Sequence, residues 1–92
     1  MKIVLNFKNI ISELESKELK LCFLKDRGIF IEDMQANLYM MESYRYGSYL
    51  DRLIKDGTTV EFNLVNGKNI NDWEKEIWGV SDVKSFMERQ SL

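Results

Sequence analysis

The chain has no histidine, no proline and a single cysteine, Cys22, among its 92 residues. Without histidine it lacks the side chain that most often moves protons near neutral pH, and the commonest metal ligand. Ser-His-Asp and Cys-His arrangements cannot be assembled from it. One cysteine without histidine also excludes the usual zinc sites. A lone cysteine forms no disulfide within the chain, which fits a reducing, cytoplasmic setting. Without proline, every turn falls to Gly, Asn, Asp and Ser. No apolar run approaches membrane-spanning length, no signal peptide is seen, and no Asn-x-Ser/Thr acceptor occurs.

Charge of one sign is missing too. Fifteen acidic residues face thirteen basic ones, for a net charge of −2 and a pI near 5.1. A domain that grips a phosphate backbone normally carries a basic face and a basic pI. A mimic of DNA needs a dense carboxylate field. Neither describes this chain. The phosphate-binding glycine loop is absent as well. Gly67-Lys68 resembles its end, but Phe62 stands where the partner glycine belongs and Asn69 replaces the Ser or Thr.

What is present is ordinary globular composition, 45% apolar and 30% charged. The length suits one domain spanning residues 1–92. "KIVLNF" alternates, with Ile3, Leu5 and Phe7 on one face, and predicts a strand. From Lys8 to Lys17 the period changes. Ile10, Ile11 and Leu14 form an apolar stripe on a short helix, with Glu13, Glu15, Lys17 and Glu18 outward. "LKLCFL" and "IFIED", separated by "KDRG", predict a hairpin in which Gly28 takes the left-handed conformation. "LYMMESYRY" suits a strand slightly better than a helix, because its tyrosines favour a pleated surface.

"SYLDRLIKDG" predicts a helix capped by Ser48, with Tyr49, Leu50, Leu53 and Ile54 inward and Gly57 as its stop. "TTVEFNLV" alternates with Val60, Phe62 and Leu64 on one face, and Asn66-Gly67 is a hairpin dipeptide leading to a short "KNI" return strand. The remainder reads as two helices. The first carries Trp73, Ile77 and Trp78, capped by Asn71 or Asp72 and ended by Gly79. The second is capped by Ser81, with Val83, Phe86 and Met87 inward. The expected fold is therefore α+β: an antiparallel sheet of three to five strands packed by two to four short helices.

The candidate chemistry is sparse. Glu32-Asp33 and Asp72/Glu74/Glu76 are carboxylate clusters without the spacing of a calcium loop, and they read as solvated surface or helix starts. Cys22, on an alternating strand, reads as a small buried residue. Neither a metal nor a cofactor is expected. The stretch "MMESYRYGSYLDR" stands out because Tyr, Ser, Gly and Arg are the residues that binding loops favour, and Tyr and Arg dominate interface hot spots. Tyr49 belongs to its helix's apolar face and reads as core. Tyr44 has two readings, a second ring completing the core or a member of a binding surface. Arg45, Tyr46 and Arg52 have no core role in this pattern, and Tyr44, Arg45, Tyr46 and Arg52 form the candidate partner-binding patch.

"NINDWEKEIWGVSDVKSF" resembles the tail of a family of small proteins carried by plasmids and phages. In that family an Asp-Trp pair precedes a charged stretch, then Gly-Gly-Asp-Asp and an apolar residue or two. Asp72-Trp73, Gly79 and Asp82 match, whereas Val80 replaces the second glycine and Ser81 the first aspartate. "DRGIFI" resembles that family's glycine-then-strand segment. The match covers about a third of the chain and transfers no functional residue. It implies an accessory protein of a mobile element, a class that includes anti-CRISPR inhibitors.

The expectation is a non-catalytic protein-binding module, not an enzyme. It would occlude a host defence nuclease or its ribonucleoprotein complex, acting as a monomer or homodimer without membrane or direct nucleic-acid contact. A small nucleic-acid-binding regulator is the alternative, and a carboxylate metalloenzyme a distant third.

Overall fold

A computed structural model of the chain describes residues 1–24, 28–41, 50–65 and 74–90. In chain order the described residues form β1 (Lys2–Asn6), a 3-10 turn (Phe7–Asn9), α1 (Ile10–Lys17), β2 (Lys20–Leu24), β3 (Gly28–Glu32), β4 (Leu38–Met41), α2 (Leu50–Asp56), β5 (Thr59–Leu64), β6 (Lys75–Trp78) and α3 (Val80–Gln90). The six strands make one antiparallel sheet in the order β1-β5-β4-β3-β2-β6. No helix among the described residues is long and apolar enough to cross a membrane.

Alternation decides which residues face the helices. Leu5, Leu21, Ile29, Ile31, Tyr39, Met41 and Phe62 come from the sheet and are buried against Ile10 and Leu14 of α1, Leu50 of α2 and Val83 of α3. Phe7 leaves β1 on the same face, and its ring sits 6.3 Å from that of Phe62. Burying a side chain of this size stabilises by about 2 kcal/mol, so this layer holds the domain together. The opposite face carries a smaller cluster: Cys22, Phe30 and Leu38 are buried, with Met40 and Val65 packed beside them. Apolar residues on both faces explain why "LCFL", "IFI" and "LYMM" read as nearly continuous apolar runs.

The β2–β3 hairpin forms as expected, with Gly28 at φ 97°. β4 settles the strand-or-helix question for residues 38–41 in favour of the strand, since it pairs with both β3 and β5. Residues 42–46 lie outside the described residues, as do the "KNI" return strand, Ser48 and Tyr49. Gly57, at φ 62°, ends α2 as expected, and an added Cβ would lie 3.3 Å from Lys8 Cβ.

The last third of the chain corrects the sequence reading. Lys75–Trp78 is a strand, not part of a helix, and it supplies a sixth strand where five at most were expected. Four residues are too few for periodicity to decide. The deciding contact is distant in sequence: β6 pairs with β2 from Leu21↔Trp78 to Leu24↔Lys75. On a strand, adjacent Ile77 and Trp78 face opposite ways. Trp78 packs between Phe23 and Phe86, with ring centroids 4.8 and 5.5 Å away. Gly79 does not end a helix. It starts α3, because its carbonyl accepts the Val83 N–H at 3.2 Å. Asp82 reaches back to accept the Gly79 N–H at 3.0 Å, the backward half of a capping box, so Ser81 lies inside the helix and is not its cap.

β1 lies at one edge of the sheet, and α1 closes it. The Asn6 N–H donates to Glu13 Oε2 at 2.8 Å, and Lys17 Nζ donates to the Val4 carbonyl at 2.8 Å. Glu13 and Lys17 also pair with each other at 3.3 Å, one helical turn apart. Groups that would invite another strand are thereby occupied by side chains. The Asn6 N–H holds the Glu13 carboxyl below its usual range; burial opposes this and Lys17 assists it. Glu13→Ala is expected to destabilise by about 1–2 kcal/mol, read as a lower urea midpoint at unchanged m. It should also increase self-association through β1. An unchanged midpoint would show that these bonds contribute nothing net.

Candidate functional site

The patch expected at Tyr44, Arg45, Tyr46 and Arg52 is described at one position only. Tyr44, Arg45 and Tyr46 lie outside the described residues. Arg52 is exposed on α2, whose inner side is fixed by buried Leu50 and by Leu53 and Ile54 against the core. Asp51, Lys55 and Asp56 are exposed on the same helix. The outer surface of α2 is thus a charged display on a helix packed against the Phe7–Asn9 turn.

Among the described residues, the thiol and several carboxylates are engaged by the fold. Cys22 is fully buried, and its thiol is pushed up to about 11 by burial, then by the Glu32 charge, with Lys75 opposing. A thiol in that state is a poor nucleophile. Among the described residues no Asp, Glu, Lys, Arg, Asn, Gln, Ser or Thr side chain is buried. None of them form a cluster of three or more Cys, Asp or Glu side chains that could hold a metal ion.

The carboxylate clusters read from the sequence separate into individual tasks. Glu32 Oε2 lies 4.0 Å from Lys75 Nζ. Glu76 accepts the indole N–H of Trp78. Glu74 is engaged too, and Asp72 lies outside the described residues.

Asp33 organises the β3–β4 loop. Its carboxylate accepts the N–H of Gln35 at 3.0 Å, the N–H of Asn37 at 2.9 Å, the Asn37 side-chain amide at 3.1 Å and the Tyr39 hydroxyl at 3.0 Å. Ala36 takes φ 65° within this loop, and Met34 at its tip is exposed. Burial pushes the Asp33 carboxyl up, but the bonds from Asn37, Tyr39 and Gln35 outweigh it and hold the carboxyl below its usual value. The Tyr39 hydroxyl is pushed up by burial and by this carboxylate.

A carboxyl lowered on folding stabilises above its unfolded value and loses that contribution as pH falls through the folded one. Acidification is therefore expected to release the Asn37 and Gln35 amides from Asp33 below the ordinary carboxylate range. An NMR titration following those amides and the Tyr39 ring checks this. A midpoint at or above the ordinary aspartate value would contradict it.

Sequence reasoning did not identify Ile77 as surface. It is 42% exposed on β6, at the end of a cross-strand row formed by Ile77, Cys22, Phe30 and Met40. A helix reading of residues 72–78 hides that row. A test for strand pairing with "LCFL" was the signal available.

No family model, curated protein or solved structure matches this chain. Its function is therefore read from its own residues. Gly79 and Asp82, two residues of the plasmid- and phage-family resemblance, meet as the capping pair of α3, a structural task.

Proposed function

We propose that this chain is a non-catalytic protein-binding module. The observation that carries the reading is the state of its only thiol in a chain without histidine: Cys22 is buried and its pKa stands at about 11. Acid–base and nucleophilic chemistry then falls to exposed carboxylates and lysines. The carboxylates of Glu13, Glu32, Asp33, Glu76 and Asp82 are tied to the fold by hydrogen bonds or ion pairs. What such a molecule offers is a shaped surface on a small rigid sheet.

The more specific form of the proposal is a phage- or plasmid-borne accessory protein. It blocks a host defence nuclease, or its ribonucleoprotein complex, by covering a working surface, in the manner of anti-CRISPR proteins. Support comes from the resemblance of residues 69–86 and from the Tyr- and Arg-rich stretch that supplies Tyr44, Arg45, Tyr46 and Arg52. Its mechanism is steric: aromatic and guanidinium groups anchor in the partner, and the body of the domain excludes the substrate.

Affinity for a reconstituted nuclease complex, measured against salt, tests this. A protein interface gives a shallow dependence. A steep linear fall of log affinity with log salt marks phosphate contacts and would replace the proposal with the nucleic-acid-binding regulator.

A further inference from the structure

The sheet ends in two unlike edges. At β1 the outward N–H of Asn6 and carbonyl of Val4 are taken by Glu13 and Lys17. At β6 no further strand follows among the described residues. Short edge strands are ordinarily blunted by projecting charges; here Lys75 and Glu76 are exposed, but each is engaged within the chain. Lys75 reaches across β2 toward Glu32, and Glu76 turns to the Trp78 indole. Beside them stands Ile77, an exposed apolar residue at the rim, in register with the apolar row through Cys22 and Phe30.

We infer that β6 is a strand-addition site, where an extended segment of a partner protein pairs antiparallel as the next strand of the sheet. The inference rests on the binding function proposed above and names a surface for it. A second copy of this chain is the wrong occupant. Symmetric antiparallel pairing centred on Glu76 sets Glu76 against its own counterpart. The neighbouring register sets Lys75 against Lys75 and Glu74 against Glu76. Like charges directly opposite one another are destabilising. Sliding the other way brings Gly79 opposite Lys75, yet the N–H and carbonyl of Gly79 are committed to starting α3. The strand that fits alternates: an apolar residue opposite Ile77 on one face and a basic residue opposite Glu76 on the other.

The test uses short synthetic peptides of alternating valine and lysine, a valine–glutamate counterpart and a proline-interrupted version. Amide exchange across β6 is followed by NMR. The valine–lysine peptide is expected to slow exchange at Lys75–Trp78, the glutamate version to do so less, and the proline version not at all. Ile77→Lys, at an exposed position and checked for an unchanged melt, is expected to lose the effect. The inference is overturned if no peptide protects β6, or if sedimentation shows the free protein dimerising with β6 already protected. Retention of nuclease binding by Ile77→Lys alongside its loss in Arg52→Ala would overturn the inference and leave the binding function standing. Absence of any nuclease binding by the unaltered protein would remove the function itself.

Discussion

Phe62→Ala is expected to cost about 3–5 kcal/mol. Phe62 is fully buried on β5, opposite Ile3 of β1 and Met41 of β4, and its ring meets Phe7 where the chain leaves β1. Alanine there removes transfer free energy and opens a cavity lined by three strands and the Phe7 turn, whose hydrogen-bonded ladders limit collapse. A domain of this size has a total stability of roughly 5–14 kcal/mol, so the loss is a large fraction of the whole. The melting temperature should fall by about 15–30 °C. Urea denaturation followed by circular dichroism reads the change directly. A loss under about 1 kcal/mol would mean that the sheet–helix layer around Phe62 is not the principal core.

The largest functional effects are expected at Arg45 and Tyr46, with Arg52 on α2 as the third member. Each alanine substitution should weaken partner binding by about 2 kcal/mol or more, roughly thirtyfold. A tyrosine ring brings much contact area at little entropic cost, and a guanidinium makes paired directional hydrogen bonds that a water-filled gap does not replace. Lys84→Ala on exposed α3 is the matched control and should leave affinity within about twofold, as most surface positions do. Equal affinities for all four variants would move the interface elsewhere, with β6 the first place to look.

Much of the fold was legible because burial imposes a period. Ile3, Leu5 and Phe7 announced β1; Ile10 and Leu14 announced α1; Val83, Phe86 and Met87 gave the inner face of α3. Tyr39 and Met41 share a face of β4 as alternation requires. β6 was not legible from its own residues. "KEIW" has neither the length nor the alternation to distinguish strand from helix, and its pairing with "LCFL" lies about fifty residues away in sequence. The same holds for Glu13 and Lys17. Their outward position on α1 was readable, but their closing of the β1 edge depends on where α1 docks. Of the candidate site, the exposure of Arg52 followed from the spacing of Leu50, Leu53 and Ile54. Tyr44, Arg45 and Tyr46 lie outside the described residues.

The acidic residues around the β3–β4 loop divide into separate roles. In sequence, Glu32-Asp33 is an adjacent carboxylate pair. In three dimensions Glu32 turns across the sheet to Lys75, and Asp33 turns into its own loop to hold Gln35, Asn37 and Tyr39. Adjacent residues at a strand end point to opposite faces, so proximity along the chain did not become a shared site.

That the chain acts by occupying a surface, without turnover, is tested most directly by titrating it against a fixed amount of the host nuclease complex while nuclease activity is recorded. The account predicts inhibition that rises linearly with added protein, saturates near equimolar, does not deepen with time and is reversed by excess partner. Full inhibition by a trace amount, deepening with incubation and persisting after the protein is removed, would contradict it.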